Sequence, residues 1–139
     1  MSSEGQADYY AGRECMREFL KNQKLQNDRP QKTYFSAHLT KMCTEAWKNN
    51  AADIAVCERT GEGAYNMLQL TKDFDISFDT PSTEVVKAAV LDEYPARQCR
   101  LDTVLAGAIC RQKNALIFDF DDANVNNCPE LIGARPACW

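Results

Sequence analysis

Seven cysteines, Cys15, Cys43, Cys57, Cys99, Cys110, Cys128 and Cys138, are the side chains of this 139-residue chain with the widest chemical repertoire. A thiolate can bind a metal, attack a substrate or join a second thiol, and spacing decides among these uses. The intervals of 27, 13, 41, 10, 17 and 9 residues contain no Cys-x-x-Cys pair, and His38 is the only histidine. The knuckles of a zinc site are therefore missing. Free buried thiols in a reducing cytosol are the bland reading, because cysteine behaves as a small hydrophobe. Disulfides in an oxidising compartment explain the density and wide scatter better. Cys99, Cys110, Cys128 and Cys138 fall within the last 41 residues and are expected to pair among themselves. Cys43 is expected to join Cys57. That leaves Cys15 as a free thiol or a link to another chain.

A second cluster is the acidic stretch FDFDDANVNNC, residues 118–128. Read as a calcium loop, it places Asp122, Asn124 and Asn126 at the first, third and fifth positions and Glu130 at the ninth. Gly133 stands where such a loop carries its bidentate glutamate. Asp and Asn also make Asx turns, so a plain turn explains the same residues and is the preferred reading. Any calcium held here is expected to bind weakly and to serve structure; no other cofactor is expected.

Asp73, Asp75 and Asp79 alternate with apolar residues, and Asp119 follows a second apolar run. Gathered on one sheet they could support acid and base catalysis, whereas a solvated sheet face is the simpler reading. His38 could activate a cysteine only if folding held a thiol beside it. The chain contains no Gly-Xaa-Ser-Xaa-Gly elbow, phosphate loop, His-Glu-Xaa-Xaa-His motif or dinucleotide fingerprint, so no catalytic residue is assigned. Arg135 and Trp139, in the closing GARPACW, are candidate anchors for a protein partner, because both residue types are enriched in binding hot spots, whereas packing of the ring back beside the disulfide is the simpler reading.

Several elements must position these groups. Residues 8–25 carry a helical pattern, with Gly12, Cys15, Met16, Phe19 and Leu20 on one face and Arg13, Glu14, Arg17, Glu18 and Lys21 on the other. Cys15 is thereby expected toward the core or its margin. The strongest periodicity runs from Thr33 to Asn49 through Phe35, Leu39, Met42, Cys43, Ala46 and Trp47. A shorter helix with Ile54, Val56 and Cys57 is expected to stop at Gly61, in RTGEG. Residues 64–71 fit helix or strand. The alternation of Phe74, Ile76 and Phe78 predicts a half-buried strand, and ALIFDF at 115–120 predicts its partner. Between them, Thr80 and Pro81 are suited to open one helix, and Leu101, Val104, Leu105, Ala108 and Ile109 mark another. From Asp121 onward, Asn, Pro and Gly predict an irregular tail stapled by cysteine.

The expected fold is thus α+β, predominantly helical, with a minor two-stranded β element and a disulfide-stapled tail, in a single domain spanning residues 1–139. The net charge of −4 and pI near 5.0 oppose nucleic acid and anionic lipid as partners. The acidity is C-terminal: residues 1–72 carry 10 basic against 9 acidic side chains, and the remainder 6 against 11. No apolar run is long enough for a membrane span. The opening MSSEGQADYYAGREC lacks an apolar signal core, so export implies a mature form. Cys128 and Cys138 have the nine-residue spacing of mitochondrial intermembrane-space hairpins, but two prolines and a glycine intervene. That compartment stands as an alternative to a secreted or periplasmic location. The expected role is a non-catalytic binding or accessory module. Its rivals are a hydrolase using the carboxylates or a Cys/His pair, and an accessory subunit of a larger assembly.

Overall fold

A computed structural model describes residues 4–23, 36–70, 75–87, 94–112, 122, 124–125 and 127–139. Five α-helices are found among them: α1 (Glu4–Tyr10), α2 (Met16–Lys21), α3 (Ala37–Trp47), α4 (Ala51–Gln69) and α5 (Arg97–Ile109). A π-helical segment, Ala11–Cys15, joins α1 to α2 without a break. No strand occurs among the described residues, which corrects the expected β element. Asp75–Asp79 keep the inward alternation of Ile76 and Phe78, but the segment bends from Phe78 onward and pairs with no strand among the described residues. The Ser77 N–H and carbonyl are instead bonded by the Gln98 side chain. Residues 73–74 and the second predicted strand, 115–120, lie outside the described residues.

Helix α5 is the centre. Its Leu101, Val104, Leu105, Ala108 and Ile109 are all buried, and α1, the π segment, α3 and α4 all pack on it. A helix buried almost all round must have its neighbours close, and small residues permit this. A Cβ on Gly12 would lie 2.1 Å from the Val104 carbonyl oxygen, and one on Gly107 would lie 2.2 Å from that of Tyr9. The π segment and α5 therefore cross almost backbone to backbone.

Helices α3 and α4 form a hairpin with well-defined ends. Ser36 Oγ accepts the Leu39 N–H at 3.0 Å, and Asn50 Oδ1 accepts the Asp53 N–H at 3.1 Å, so each side chain satisfies a donor that the first helical turn leaves over. Helix α4 continues through Gly61 to Gln69, correcting the expected stop. Gly61 is present for packing: a Cβ there would meet Leu39 at 2.6 Å and Leu105 at 2.9 Å. The helix expected after Pro81 is also absent through Val86. The Ser82 N–H is taken by Asp102 and the Val86 N–H by the Ala137 carbonyl, which leaves those donors unavailable to a helical ladder.

The first helix buries Gly12 and Leu20 as expected, but its inner face is rotated from the expected one. Arg13 and Arg17 are inside, at 0% and 4% exposure, while Phe19 and Cys15 are exposed. The Met16 N–H bonds the Ala11 carbonyl, one residue further back than α-helical winding requires. That extra residue turns the face in contact with α5. The arginines then reach main-chain carbonyls just beyond the C-terminal end of α5, where helical partners run out. Arg17 donates to the Cys110 carbonyl and Arg13 to that of Gln112, each at 3.0 Å, and Trp47 Nε1 donates to Ala108. The Arg17 guanidinium also lies 4.2 Å over the Trp47 ring. Burial lowers the Arg17 pKa, an effect opposed by Asp53 and Glu14. At the other end of α5, Arg100 binds Asp8 at 2.7 and 3.0 Å and Glu4 at 2.9 Å.

Candidate functional site: a groove between the hairpin and the tail

Three disulfides set the framework of the site. Cys43 joins Cys57 across the α3–α4 hairpin, Cys99 joins Cys138, and Cys110 joins Cys128, with Cα separations of 5.7, 5.9 and 5.8 Å. Cys15 is free and exposed on the π segment, whereas its helical position predicts the core or its margin. Because Cys99 opens α5 and Cys110 follows its end, the two tail disulfides fasten residues 127–139 along this helix. Tyr9 adds a third attachment: its hydroxyl donates to the Gly133 carbonyl at 2.5 Å and accepts the Cys128 N–H at 3.0 Å. Burial raises the Tyr9 pKa, partly offset by the Cys128 hydrogen bond and by Arg13.

Between the fastened tail and the hairpin lies a groove of about 340 Å³. Leu105, Ala106 and Ile109 of α5 form its floor, with Asp102 at one end. His38, Met42 and Glu45 of α3 form one wall, Phe78 and Pro81 a second, and residues 131–134 of the tail a third. Each wall is held from behind. Phe78 stacks on Tyr65 of α4 at 5.1 Å. Gly133 has φ +89° and lies so close to α5 that a Cβ would sit 2.8 Å from the Cys110 backbone and 3.0 Å from the Ala106 carbonyl oxygen. Only glycine adopts that conformation and that approach together without strain. Leu131 and Ile132, just before it, are 97% and 49% exposed at the rim.

Asp102, at the end of the groove, is tied into the fold by neutral donors. Its Oδ2 accepts the Ser82 N–H at 2.6 Å and its Oδ1 accepts Gln98 Nε2 at 2.8 Å. Gln98 and Asp102, one turn apart on α5, thus fix the segment that carries Phe78 and Pro81. Burial raises the Asp102 pKa, and these two hydrogen bonds lower it in part. No sequence motif announces this residue. The available signal was a Gln98/Asp102 pair at i,i+4 spacing on a helix that is otherwise largely apolar after Arg100.

The other candidates from the sequence occupy separate places. Asp122 is exposed, and its Oδ1 accepts the Asn124 N–H at 2.8 Å, the geometry of an Asx turn. Glu130 pairs with Arg111 at 2.5 Å. Asn126 lies outside the described residues, among which no group of three or more metal-ligating His, Cys, Asp or Glu side chains occurs. Asp75 and Asp79 are exposed, and Asp73 and Asp119 lie outside the described residues. His38 Nδ1 is 3.7 Å from Asp79 Oδ1, while six of the seven cysteines are in disulfides. Cys15 does not line the groove. The structure therefore does not unite His38 with a thiol.

Trp139 is 3% exposed and packs in a cluster with Tyr9, Ala106 and the tail disulfides. The Arg135 guanidinium lies 4.8 Å over its ring and bonds its main-chain oxygen. The ring is thus packed back beside the tail disulfides, the simpler of the two readings of Trp139, and this pair braces the tail from within. No helix among the described residues is long and apolar enough to cross a membrane. No family model matches the chain, and neither does any curated protein or solved structure.

Proposed function

We propose that the protein is a non-catalytic binding module of an oxidising compartment, secreted or periplasmic, that receives an apolar ligand in the groove between α3 and the C-terminal tail. The observation that carries this reading is the groove itself. Its volume of about 340 Å³ falls within the range of roughly 300 to 1,000 Å³ usual for ligand pockets, and its lining is mainly apolar with few polar groups. Every wall is fastened by a disulfide, a hydrogen bond or a ring contact, so little ordering cost accompanies binding. Three disulfides support the oxidising compartment, because such bonds persist where thiols are not kept reduced. Calcium, if held near Asp122, plays no part in this reading.

The test is titration with N-phenyl-1-naphthylamine, a neutral apolar dye whose emission rises on leaving water. Saturable binding of one dye per chain is expected, and Ile132→Asp, which places a charge on an exposed part of the wall, should abolish it. Absence of saturable binding, or binding indifferent to Ile132→Asp, would overturn the reading.

A further inference from the structure

Resting on that reading of the groove, we infer that its occupant is a small amphipathic organic cation, with an apolar body over Leu105 and Ile109 and an ammonium or guanidinium group against Asp102. Charge accounts for the choice. Among the described residues, the carboxylates in and beside the groove are Asp102, Glu45 and Asp79, and no lysine or arginine lines it. Glu45 has a counterion, Lys41 at 3.9 Å, and both are well exposed, so this pair is screened by water. Asp79 faces His38 from the solvent side at 3.7 Å.

Asp102 differs from both. It is partly withdrawn from water, its two described hydrogen bonds come from neutral donors, and no cation among the described residues pairs with it. A carboxylate has about four acceptor sites, so two further donors can be accommodated. A charge in a low-dielectric cleft without a counterion attracts a cation strongly and repels an anion equally. The volume of about 340 Å³ lies at the small end of the range for ligand pockets. That is room for a compact ligand and too little for a folded segment.

The test uses the whole oxidised protein and three probes of one chain length: octylammonium, 1-octanol and octanoate, titrated calorimetrically near pH 7 at low salt. Octylammonium should bind at least about tenfold more tightly than 1-octanol, as expected for hydrogen bonds to a charged group, and octanoate should bind most weakly. Added salt should narrow the gap between octylammonium and 1-octanol. In Asp102→Asn the gap should close to within about twofold. Because Asp102 also holds Ser82, the wild-type protein carries the deciding measurement: the Asp102 carboxyl carbon resonance should move with octylammonium and stay in place with 1-octanol. Equal binding of 1-octanol and octylammonium would overturn the cation while leaving the binding module standing. Failure of all three probes and of the dye would overturn the module as well.

Discussion

On one flank of α5, Leu39, Leu68, Ile76, Leu101 and Leu105 fill the interior with aliphatic side chains, and a single disulfide closes the hairpin behind them. On the other flank the buried set is Tyr9, Trp139, Ala106 and four half-cystines, beside Arg13 and Arg17. The first region is held by surface removed from water, which needs no particular partner. The second is held by bonds with specified ends: two disulfides, the Tyr9 hydroxyl, and guanidinium groups on the carbonyls of Cys110 and Gln112 just after α5. A tail without regular structure has few backbone hydrogen bonds of its own, so its position has to be imposed by cross-links and side chains. The groove lies where the two regions meet, with its floor and one wall from the first and its rim from the second.

Breaking the cross-links should separate the regions most clearly. In the chain-entropy description, removing the Cys99–Cys138 bridge, whose ends are 39 residues apart, costs about 4 kcal/mol, and removing Cys43–Cys57, 14 apart, about 3. Paired cysteine-to-alanine variants unfolded in urea check the order. Dye binding checks the assignment further, since the tail variant should lose it and the hairpin variant should keep it. Next in size, Leu105→Ala should cost about 2 to 5 kcal/mol by leaving a cavity in the aliphatic flank. Tyr9→Phe should cost about 1 to 3 kcal/mol on the other flank, since it keeps the ring but strands the Gly133 carbonyl and the Cys128 N–H. If Tyr9→Phe proves as costly as Leu105→Ala in the same denaturation experiment, the contrast between the flanks is too sharply drawn.

Smaller effects refine the boundary. A carboxyl whose folded pKa is raised keeps its proton in the fold after the unfolded chain has released its own. The contribution of Asp102 is therefore complete below its ordinary value of 3.8 and is lost as pH rises through the higher folded value. Stability curves of wild type and Asp102→Asn should diverge across that interval and run parallel above it. The smallest effect concerns the acidic turn. Millimolar calcium or chelator is expected to leave Tm unchanged, because Asp122 already serves Asn124 and Glu130 already pairs with Arg111. A calcium-dependent rise would restore the metal reading.

What the sequence disclosed divides along the same line. The periodicity of Leu39, Cys43 and Ala46 reads directly as a helix face, because local spacing and burial agree there. Cysteine density likewise pointed to a stapled tail. The β element was misread because alternation of Ile76 and Phe78 reports only which side chains turn inward; the backbone partner came from Gln98, a helix later in the chain. Gly61 was misread because a close approach by Leu39 and Leu105 and a helix cap call for the same residue. The groove was illegible for a related reason: its lining comes from four separated stretches, and Asp102 acquires its character from burial that no local pattern encodes.

The π-helical segment sets the orientation of everything before it. Removing one residue between Ala11 and Cys15 would restore ordinary winding and rotate α1 by roughly 100° about its own axis relative to α2. Tyr9 would swing away from Gly133, Asp8 from Arg100, and the notch at Gly12 from Val104. The surplus residue thus acts as an alignment key, and length in this stretch should prove less tolerant of change than the identity of any single exposed side chain within it.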